Sequence, residues 1–146
     1  MRKKSAQDVA LHLLKFRPRS QFEIERKLKL KKFSSREIAE TIAILKKENL
    51  LNDLEFAKMW IENRNSLSPR ADKLLFLELR RLGIDEEICQ QALAKDQLSE
   101  LEKARLIFKQ KQRIYHQLPA EKFQQKMTRF LASRGFSWDI IHQLFS

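Results

Sequence analysis

Apolar residues recur along the chain at intervals of three and four, the spacing that lines one face of an α-helix. Only two glycines and three prolines interrupt 146 residues. These are too few turn residues for a sheet of many short strands. We therefore expect an all-α protein whose stripe residues, including the aromatic ones, form the core. The clearest stripes are Ile38, Ile42 and Leu45; Phe56 and Trp60; Leu75, Leu79 and Leu82; and Phe123, Met127, Phe130 and Leu131.

Capping residues predict where the helices begin and end. Ser20, Ser34 and Asn52 each precede a glutamate by three residues. At this spacing the side-chain oxygen of the capping residue accepts from the glutamate's backbone amide, and the glutamate carboxylate accepts from the backbone amide of the capping residue. Gly83 and Gly135 are each followed by an apolar residue. This pattern is typical of a helix that ends at a glycine in the left-handed conformation. Nine helices are predicted, at 5–16, 20–31, 34–48, 53–66, 69–82, 85–94, 97–116, 119–134 and 137–145.

Similar residues recur at a period near 50, which indicates stacked helical units. Each unit has a long first helix, a second helix that opens near a proline, with Pro69 at a first helical position, and a third helix after a tight turn. We place three tandem three-helix repeats at 1–50, 51–95 and 96–146, and expect an elongated, curved array because such units contact only their neighbours. The recurring residues are Pro18, Pro69 and Pro119; Leu28, Leu79 and Leu131; Phe33, Ile84 and Phe136; and Ile38, Ile88 and Ile140.

The charge is strongly basic but unevenly distributed. Thirty Lys and Arg against nineteen Asp and Glu give a net charge of +11, which favours a polyanionic partner. Residues 1–50 carry fourteen basic and six acidic residues (net +8), residues 51–100 seven and ten (net −3), and residues 101–146 nine and three (net +6). Alternating sign predicts a composite partner, such as protein with nucleic acid inside it, rather than DNA alone.

Catalytic and metal sites are not expected. His12, His116 and His142 stand far apart, and no second cysteine completes a zinc site. The acidic run 85–87 opens a predicted helix, where negative charge is favourable. Two isolated glycines cannot supply a phosphate-binding loop or a nucleophile elbow. We therefore expect a protein that is not an enzyme and needs no cofactor.

The sequence is typical of a cytoplasmic protein. No run of about 18 apolar residues occurs, and the basic residues of 1–4 are not followed by an apolar stretch. The single cysteine, Cys89, cannot form an internal disulfide, and its apolar surroundings favour a buried structural thiol. We expect neither export nor a membrane span.

Several short motifs cluster in the first two thirds of the chain. They are Arg17-Pro18-Arg19-Ser20 with Glu23 and Arg26-Lys27-Leu28; Leu50-Leu51-Asn52-Asp53 with Phe56-Ala57, Trp60 and Arg64; and Pro69-Arg70 with Leu79-Arg80-Arg81-Leu82-Gly83-Ile84-Asp85. Together they resemble the RecX family of bacterial recombinase modulators over about residues 8–94. The third repeat fits in length and pattern, and 135–138 restates the turn at 83–85. Lys32 and the pair 67–68 depart from the resemblance, because the family often has glycine there.

The resemblance implies a function that composition alone does not. Members of this family bind RecA filaments on single-stranded DNA, lying along the helical groove. They inhibit the recombinase, ATPase and coprotease activities of RecA and so modulate recombination, DNA repair and the SOS response. We expect a monomer that binds this filament and contacts DNA directly. The residues expected to contact the partner are Arg17, Arg19, Arg26, Lys27, Lys31, Arg64, Arg70, Arg80 and Arg81.

Two alternatives stay open. One is a helix-turn-helix-like regulator that acts on DNA directly, which the basic ends favour and the acidic middle disfavours. The other concerns individual arginines: Arg17 and Arg64 can instead pair with helix ends or with acids such as Glu23 and Glu62, since isolated surface charges are worth little.

Overall fold

The computed structural model describes residues 3–146; Met1 and Arg2, which begin the predicted first repeat, lie outside the described residues. Within that range the chain forms nine α-helices and no strand, which confirms the all-α prediction. No helix of this part of the chain is long and apolar enough to cross a membrane. The helices are α1 (Ala6–Phe16), α2 (Gln21–Leu30), α3 (Ser35–Lys47), α4 (Asp53–Leu67), α5 (Asp72–Arg81), α6 (Glu86–Ala94), α7 (Glu100–Tyr115), α8 (Ala120–Ser133) and α9 (Trp138–Leu144).

Successive helices pack in groups of three. Within residues 3–146 the extensive helix contacts all lie inside a group: α1, α2 and α3; α4 and α5 with α6; and α7, α8 and α9. Each group has its own buried apolar cluster, which includes Leu28, Leu79 or Leu131 from its second helix. The exposed area is 10261 Å², whereas a compact monomer of 17.5 kDa exposes about 7,900 Å². The excess surface fits the predicted elongated array.

Side-chain caps begin most of the helices. Ser20 and Ser34 form complete capping boxes with the glutamates three residues on, as predicted. Asn52 caps α4 by accepting a backbone amide at 3.1 Å. Ser5 and Ser99 form two further capping boxes, at α1 and α7. The first helix of every repeat therefore begins at a side-chain cap that the local sequence encodes.

The second helix of each repeat ends in the same left-handed turn. Gly83 and Gly135 have φ angles of +80° and +91°, which confirms the predicted left-handed glycines. Lys32 occupies the equivalent position in the first repeat with a φ of 68°. In all three turns the next amide donates to the carbonyl five residues earlier. The turn is thus kept where the glycine is missing, at a backbone strain of about 1–2 kcal/mol.

Two helices begin three residues later than predicted. The placement of Pro69 at a first helical position is wrong, because Pro69 is fully buried ahead of α5, which starts at Asp72. The backbone there is extended, and the amide of Ala71 donates to the carbonyl of Arg134 in the third repeat at 3.0 Å. Contact with another repeat therefore delays the helix. Likewise α7 starts at Glu100, directly after its capping serine.

The two junctions between repeats use corresponding hydrogen bonds. The first residue of a second helix donates its amide to the carboxylate of the first residue of the next repeat's first helix. Gln21 donates to Asp53 Oδ1 at 2.9 Å, and Asp72 donates to Glu100 Oε1 at 3.0 Å. Each bond satisfies an amide that an isolated helix leaves without a partner.

A second bond at each junction runs from the N-cap residue of a second helix to the C-cap carbonyl of the next repeat's second helix. Ser20 Oγ donates to the C-cap carbonyl of Leu82 at 2.6 Å, as the Ala71 amide does to that of Arg134. The boundaries between repeats, placed from the sequence at 50/51 and 95/96, remain predictions. The cores cross them in part, since Leu51 packs in the first cluster and Ala71, which precedes α5, packs in the third.

Candidate interaction surfaces

A groove of about 440 Å³ lies between the first two repeats, along α2 and the C-terminal end of α5. Basic residues dominate its wall, with Glu23 as the single acid. The groove brings together five of the nine residues predicted to contact a partner. They are Arg17, Arg19, Arg26, Lys27 and Arg81.

The first two of these arginines are also structural. Arg17 pairs with Glu23, with 2.6 Å between Nη2 and Oε2, and donates to the Pro18 carbonyl at 3.0 Å. Glu23 is held in turn by the amide of Ser20 at 3.1 Å. The Nε of Arg19 is buried and has no partner among residues 3–146. The pairing of Arg17 with Glu23 is therefore confirmed, while its side chain stays half exposed and its contact with a partner stays a prediction.

Three cations of the groove remain available. Arg26, Lys27 and Arg81 are exposed, and none forms an ion pair within the described residues. They lie on two different repeats, so the junction itself brings them together. A ligand that binds all three must span α2 and α5.

Apolar side chains line the same groove. Phe22 is 44% exposed and Leu30 is 69% exposed, and both face the groove beside the cations. Phe22 also lines a neighbouring hollow of about 760 Å³ together with Phe33 and Ile38. Exposed apolar and aromatic side chains next to arginine are typical of protein interfaces. This combination suits a protein partner better than a bare phosphate chain.

The remaining predicted residues lie outside the groove. Arg64 and Arg70 both pair with Glu78, at 3.1 Å for Arg64 Nε. Glu78 also accepts Trp60 Nε1 at 3.1 Å, and the Arg64 guanidinium stacks over that indole at 4.9 Å. These two arginines thus stabilise the second repeat. Arg80 donates to a backbone carbonyl at 3.0 Å, and the exposed Lys31 is the C-cap of α2.

A buried charge cluster at the second junction was missed from the sequence. Lys103 is fully buried. Its ammonium pairs with Asp96, itself 3% exposed, and lies 3.4 Å from Asp72 Oδ1. Asp96 also accepts the amide of Leu98 at 3.1 Å and the Asn65 amide group at 3.0 Å. No local pattern marks a lysine in α7 as the buried partner of distant carboxylates.

A basic seam on the third repeat was also missed. We use this name for Lys111 and Tyr115 of α7, Lys126 and Phe130 of α8, and the C-cap Arg134. The Lys111 ammonium lies 4.2 Å from the Phe130 ring centre, and the Arg134 guanidinium lies 4.6 Å from it. Lys111 and Lys126 lie 6.0 and 5.7 Å from the Tyr115 ring. Spacings of four residues between cation and ring were the available signal.

Burial shifts two titratable groups. Desolvation raises the pKa of the Asp53 carboxyl above its usual value, although the Gln21 amide and Lys46 act against this. Desolvation also raises the pKa of the Cys89 thiol, which is fully buried as predicted. Among residues 3–146 no three His, Cys, Asp or Glu side chains are placed to hold a metal ion.

Comparisons with known proteins identify the repeats. Family models of the first, second and third three-helix domains of RecX match residues 6–45, 52–93 and 99–145. The chain belongs to the RecX family. Regulatory protein RecX of Finegoldia magna is 33% identical over 140 residues, covering 94% of this chain and 68% of its own length. That of Chlorobaculum tepidum is 33% identical over 142 residues, covering 97% and 87%.

Solved RecX structures share the fold. The crystal structure of RecX from Lactobacillus salivarius superposes with a TM-score of 0.81 at 26% identity, covering 96% of this chain and 92% of its own. The chain spans half the length of RecX from Bacillus subtilis, to which it is 35% identical over 138 residues. Membership in this family supports a regulatory role for the three-repeat array.

Proposed function

We propose that this protein binds RecA and RecA filaments on single-stranded DNA and inhibits the recombinase, ATPase and coprotease activities of RecA. By this proposal it modulates recombination, DNA repair and the SOS response as a cytoplasmic monomer without catalysis of its own. The observation that carries the proposal is the presence of three consecutive RecX domains along one chain. The groove between the first two repeats is the proposed contact with the protein part of the filament.

The geometry of the array suits a filament. An extended molecule reaches several identical subunits of a helical polymer, and weak contacts repeated along one chain add through effective concentration. The groove combines exposed Phe22 and Leu30 with cations from two repeats, so it is complementary to an acidic, partly apolar surface. Changes at the groove are therefore expected to weaken inhibition while leaving the fold intact.

The test is a titration of RecA ATPase activity on single-stranded DNA at fixed salt. The wild-type protein is expected to inhibit at concentrations where it does not yet bind the same DNA without RecA. The variant Arg26→Glu, Lys27→Glu, Arg81→Glu is expected to raise the half-inhibitory concentration by about tenfold or more, since about 1.4 kcal/mol of lost binding suffices. These three side chains are exposed and form no ion pair within residues 3–146, and the changes spare Arg17 and its bond to Glu23.

A matched control has the same change in net charge elsewhere. Lys73→Glu, Lys95→Glu, Lys109→Glu alters three exposed lysines outside the groove and is expected to inhibit nearly as well as the wild type. Absence of inhibition by a folded wild-type protein at any ratio contradicts the proposal. Inhibition only after the DNA is saturated promotes the alternative, a regulator that acts on DNA directly.

A further inference from the structure

The first helix of every repeat carries a cation at the same position. Arg17, Arg64 and Lys111 each stand twelve residues after the N-cap of that helix. In the first two repeats this cation pairs with a carboxylate of the second helix, Glu23 or Glu78. In the third repeat it forms no ion pair within the described residues. The three repeats thus share a cation but not its neutralising acid.

The missing acid has an identifiable replacement. Glu78 lies four residues before the C-cap of α5, and Phe130 lies four residues before the C-cap of α8. A phenyl ring therefore occupies the position that the carboxylate of Glu78 has in the second repeat, and Lys111 lies 4.2 Å from its centre. A ring face attracts a cation but carries no net charge. It orients the ammonium and leaves its positive charge unbalanced.

The other cations of the basic seam add to that charge. Lys126 lies over Tyr115 and Arg134 lies over Phe130, the two rings that Lys111 also contacts. Neither Lys126 nor Arg134 forms an ion pair within residues 3–146. Most acids of the third repeat are engaged elsewhere, since Asp96 pairs with Lys103, Glu100 accepts the Asp72 amide and Glu102 serves the capping box of α7. The other two acids of this repeat are Glu121 and Asp139. Three oriented cations without a counterion among residues 3–146 make this surface suited to an anion.

The seam differs from the groove in what accompanies the charge. In the groove, Phe22 and Leu30 are largely exposed beside the cations. In the seam, Tyr115 and Phe130 are only partly exposed, and cations lie over them. Such a surface offers charge with little open apolar area, which suits a phosphate chain better than a protein interface. Contacts from cations to phosphates carry no sequence information, so recognition by this surface is expected to be independent of sequence.

We propose that the basic seam of the third repeat binds the sugar-phosphate backbone of single-stranded nucleic acid. The first two repeats then engage the protein of the filament while the third contacts the DNA within it. This inference extends the proposed function, but it is tested on DNA alone and does not depend on inhibition of RecA.

The experiment measures binding of the full chain to a fluorescein-labelled oligothymidylate by anisotropy over a range of salt concentrations. Lys111→Gln, Lys126→Gln is expected to weaken binding by about tenfold and to reduce the slope of log K against log salt by about 1.4, since each single-strand phosphate contact contributes about 0.7. Arg134 is left unchanged because its Nε is buried, so replacing this side chain would disturb packing as well as charge. Lys111→Arg, Lys126→Arg, which keeps both charges, is expected to restore the wild-type affinity and slope.

The matched control is Lys73→Gln, Lys95→Gln, which removes two exposed charges of the second repeat and is expected to change affinity by less than about twofold. Equal losses in variant and control, with both shown folded by circular dichroism, overturn the inference. Equally tight, equally seam-dependent binding of polyaspartate overturns it too, since the surface then accepts any polyanion. Failure of the wild type to inhibit RecA, with DNA binding lost in the variant, contradicts the proposed function and supports the seam.

Discussion

The two junctions of the array share a backbone arrangement and differ in their side chains. At both, a first-turn amide of a second helix bonds a carboxylate of the next repeat, and a donor at the N-cap residue bonds a C-cap carbonyl. The first junction adds the contact of Phe22 with Gly83 and opens into the basic groove. The second adds the buried Lys103 and places Ala71 in the core of the third repeat.

This difference teaches where the array is fixed and where it is accessible. At the second junction Lys103 contacts Asp72, Asp96 accepts from Asn65, and Ala71 packs in the core of the third repeat. Separating these two repeats would therefore break polar contacts of a buried charge and expose apolar surface. The first leaves Arg26, Lys27 and Arg81 exposed around an open groove. Binding surfaces need accessible groups on a rigid support. The tight junction supplies the support, and the open junction supplies the surface.

The largest effect is expected at the second junction. Lys103→Met keeps most of the side-chain volume but leaves Asp96 buried without its cation. The free energy of unfolding is expected to fall by about 3–5 kcal/mol, the usual loss when one partner of a buried pair is removed. Urea unfolding followed by circular dichroism measures it. Lys109→Met, an exposed change on the same helix, is expected to stay within about 0.5 kcal/mol of the wild type.

A second variant separates charge from packing at this site. Lys103→Met, Asp96→Asn removes both charges while the asparagine oxygen still accepts the amide of Leu98. It is expected to be more stable than Lys103→Met alone, because no unpaired charge stays buried. If the single change lowers stability by less than about 1 kcal/mol, the second junction is no tighter than the first.

A smaller effect is expected at the glycine turns. A Cβ at Gly83 would overlap Cβ and Cγ of Phe22, whereas one at Gly135 would lie 3.1 Å from Leu74 Cβ. Both glycines have positive φ, so each alanine variant is expected to lose about 1–3 kcal/mol from backbone strain. Gly83→Ala is expected to lose a further 1–3 kcal/mol, approximately, from overpacking. Thermal and urea unfolding of both variants test the order.

The matched double variant isolates the overlap. Phe22→Ala, Gly83→Ala removes the ring that the new methyl group meets, so its loss is expected to be smaller than the sum of the two single losses. Additive losses would mean that Phe22 and Gly83 do not constrain each other. The first junction would then be held by its hydrogen bonds alone.

The sequence predicted those features that few residues encode. The helix stripes, the capping boxes at Ser20 and Ser34 and the turns at Gly83 and Gly135 all rest on residues within one or two helical turns. Their chemistry does not depend on distant parts of the chain. The pairing of Arg17 with Glu23 could be considered as an alternative from the sequence because the two residues are only six positions apart.

What the sequence did not predict depends on residues far apart in the chain. Ser20 and its acceptor Leu82 are 62 residues apart, and Lys103 and Asp72 are 31 apart. The start of α5 was wrong for this reason, because the amide of Ala71 bonds another repeat instead of continuing a helix. The groove combines Arg26 and Arg81 through the same long-range packing. The composition predicted a basic surface for a partner, but which cations lie together on it depends on how the first two repeats pack.

The smallest effect expected concerns the ionisation of Asp53 at the first junction. Burial raises the pKa of this carboxyl above its ordinary value, with smaller contributions in the same direction from Asp85 and Glu25. The folded protein therefore holds a proton on Asp53 at pH values where the unfolded chain has lost it. Stability then decreases as the pH rises through that window, and the ionised carboxylate is the less favourable form near pH 7.

Asp53→Asn tests this directly, because the asparagine side-chain oxygen can still accept from the Gln21 amide, whereas the side chain no longer titrates. The variant is expected to be at least as stable as the wild type at pH 7, and its advantage is expected to shrink at an acidic pH, where the wild-type carboxyl is protonated. Urea midpoints at both pH values measure the difference. A wild type that instead loses stability relative to the variant on acidification would mean that the carboxylate, held by the Gln21 amide and Lys46, is the preferred form. The first junction would then depend on charge as the second does.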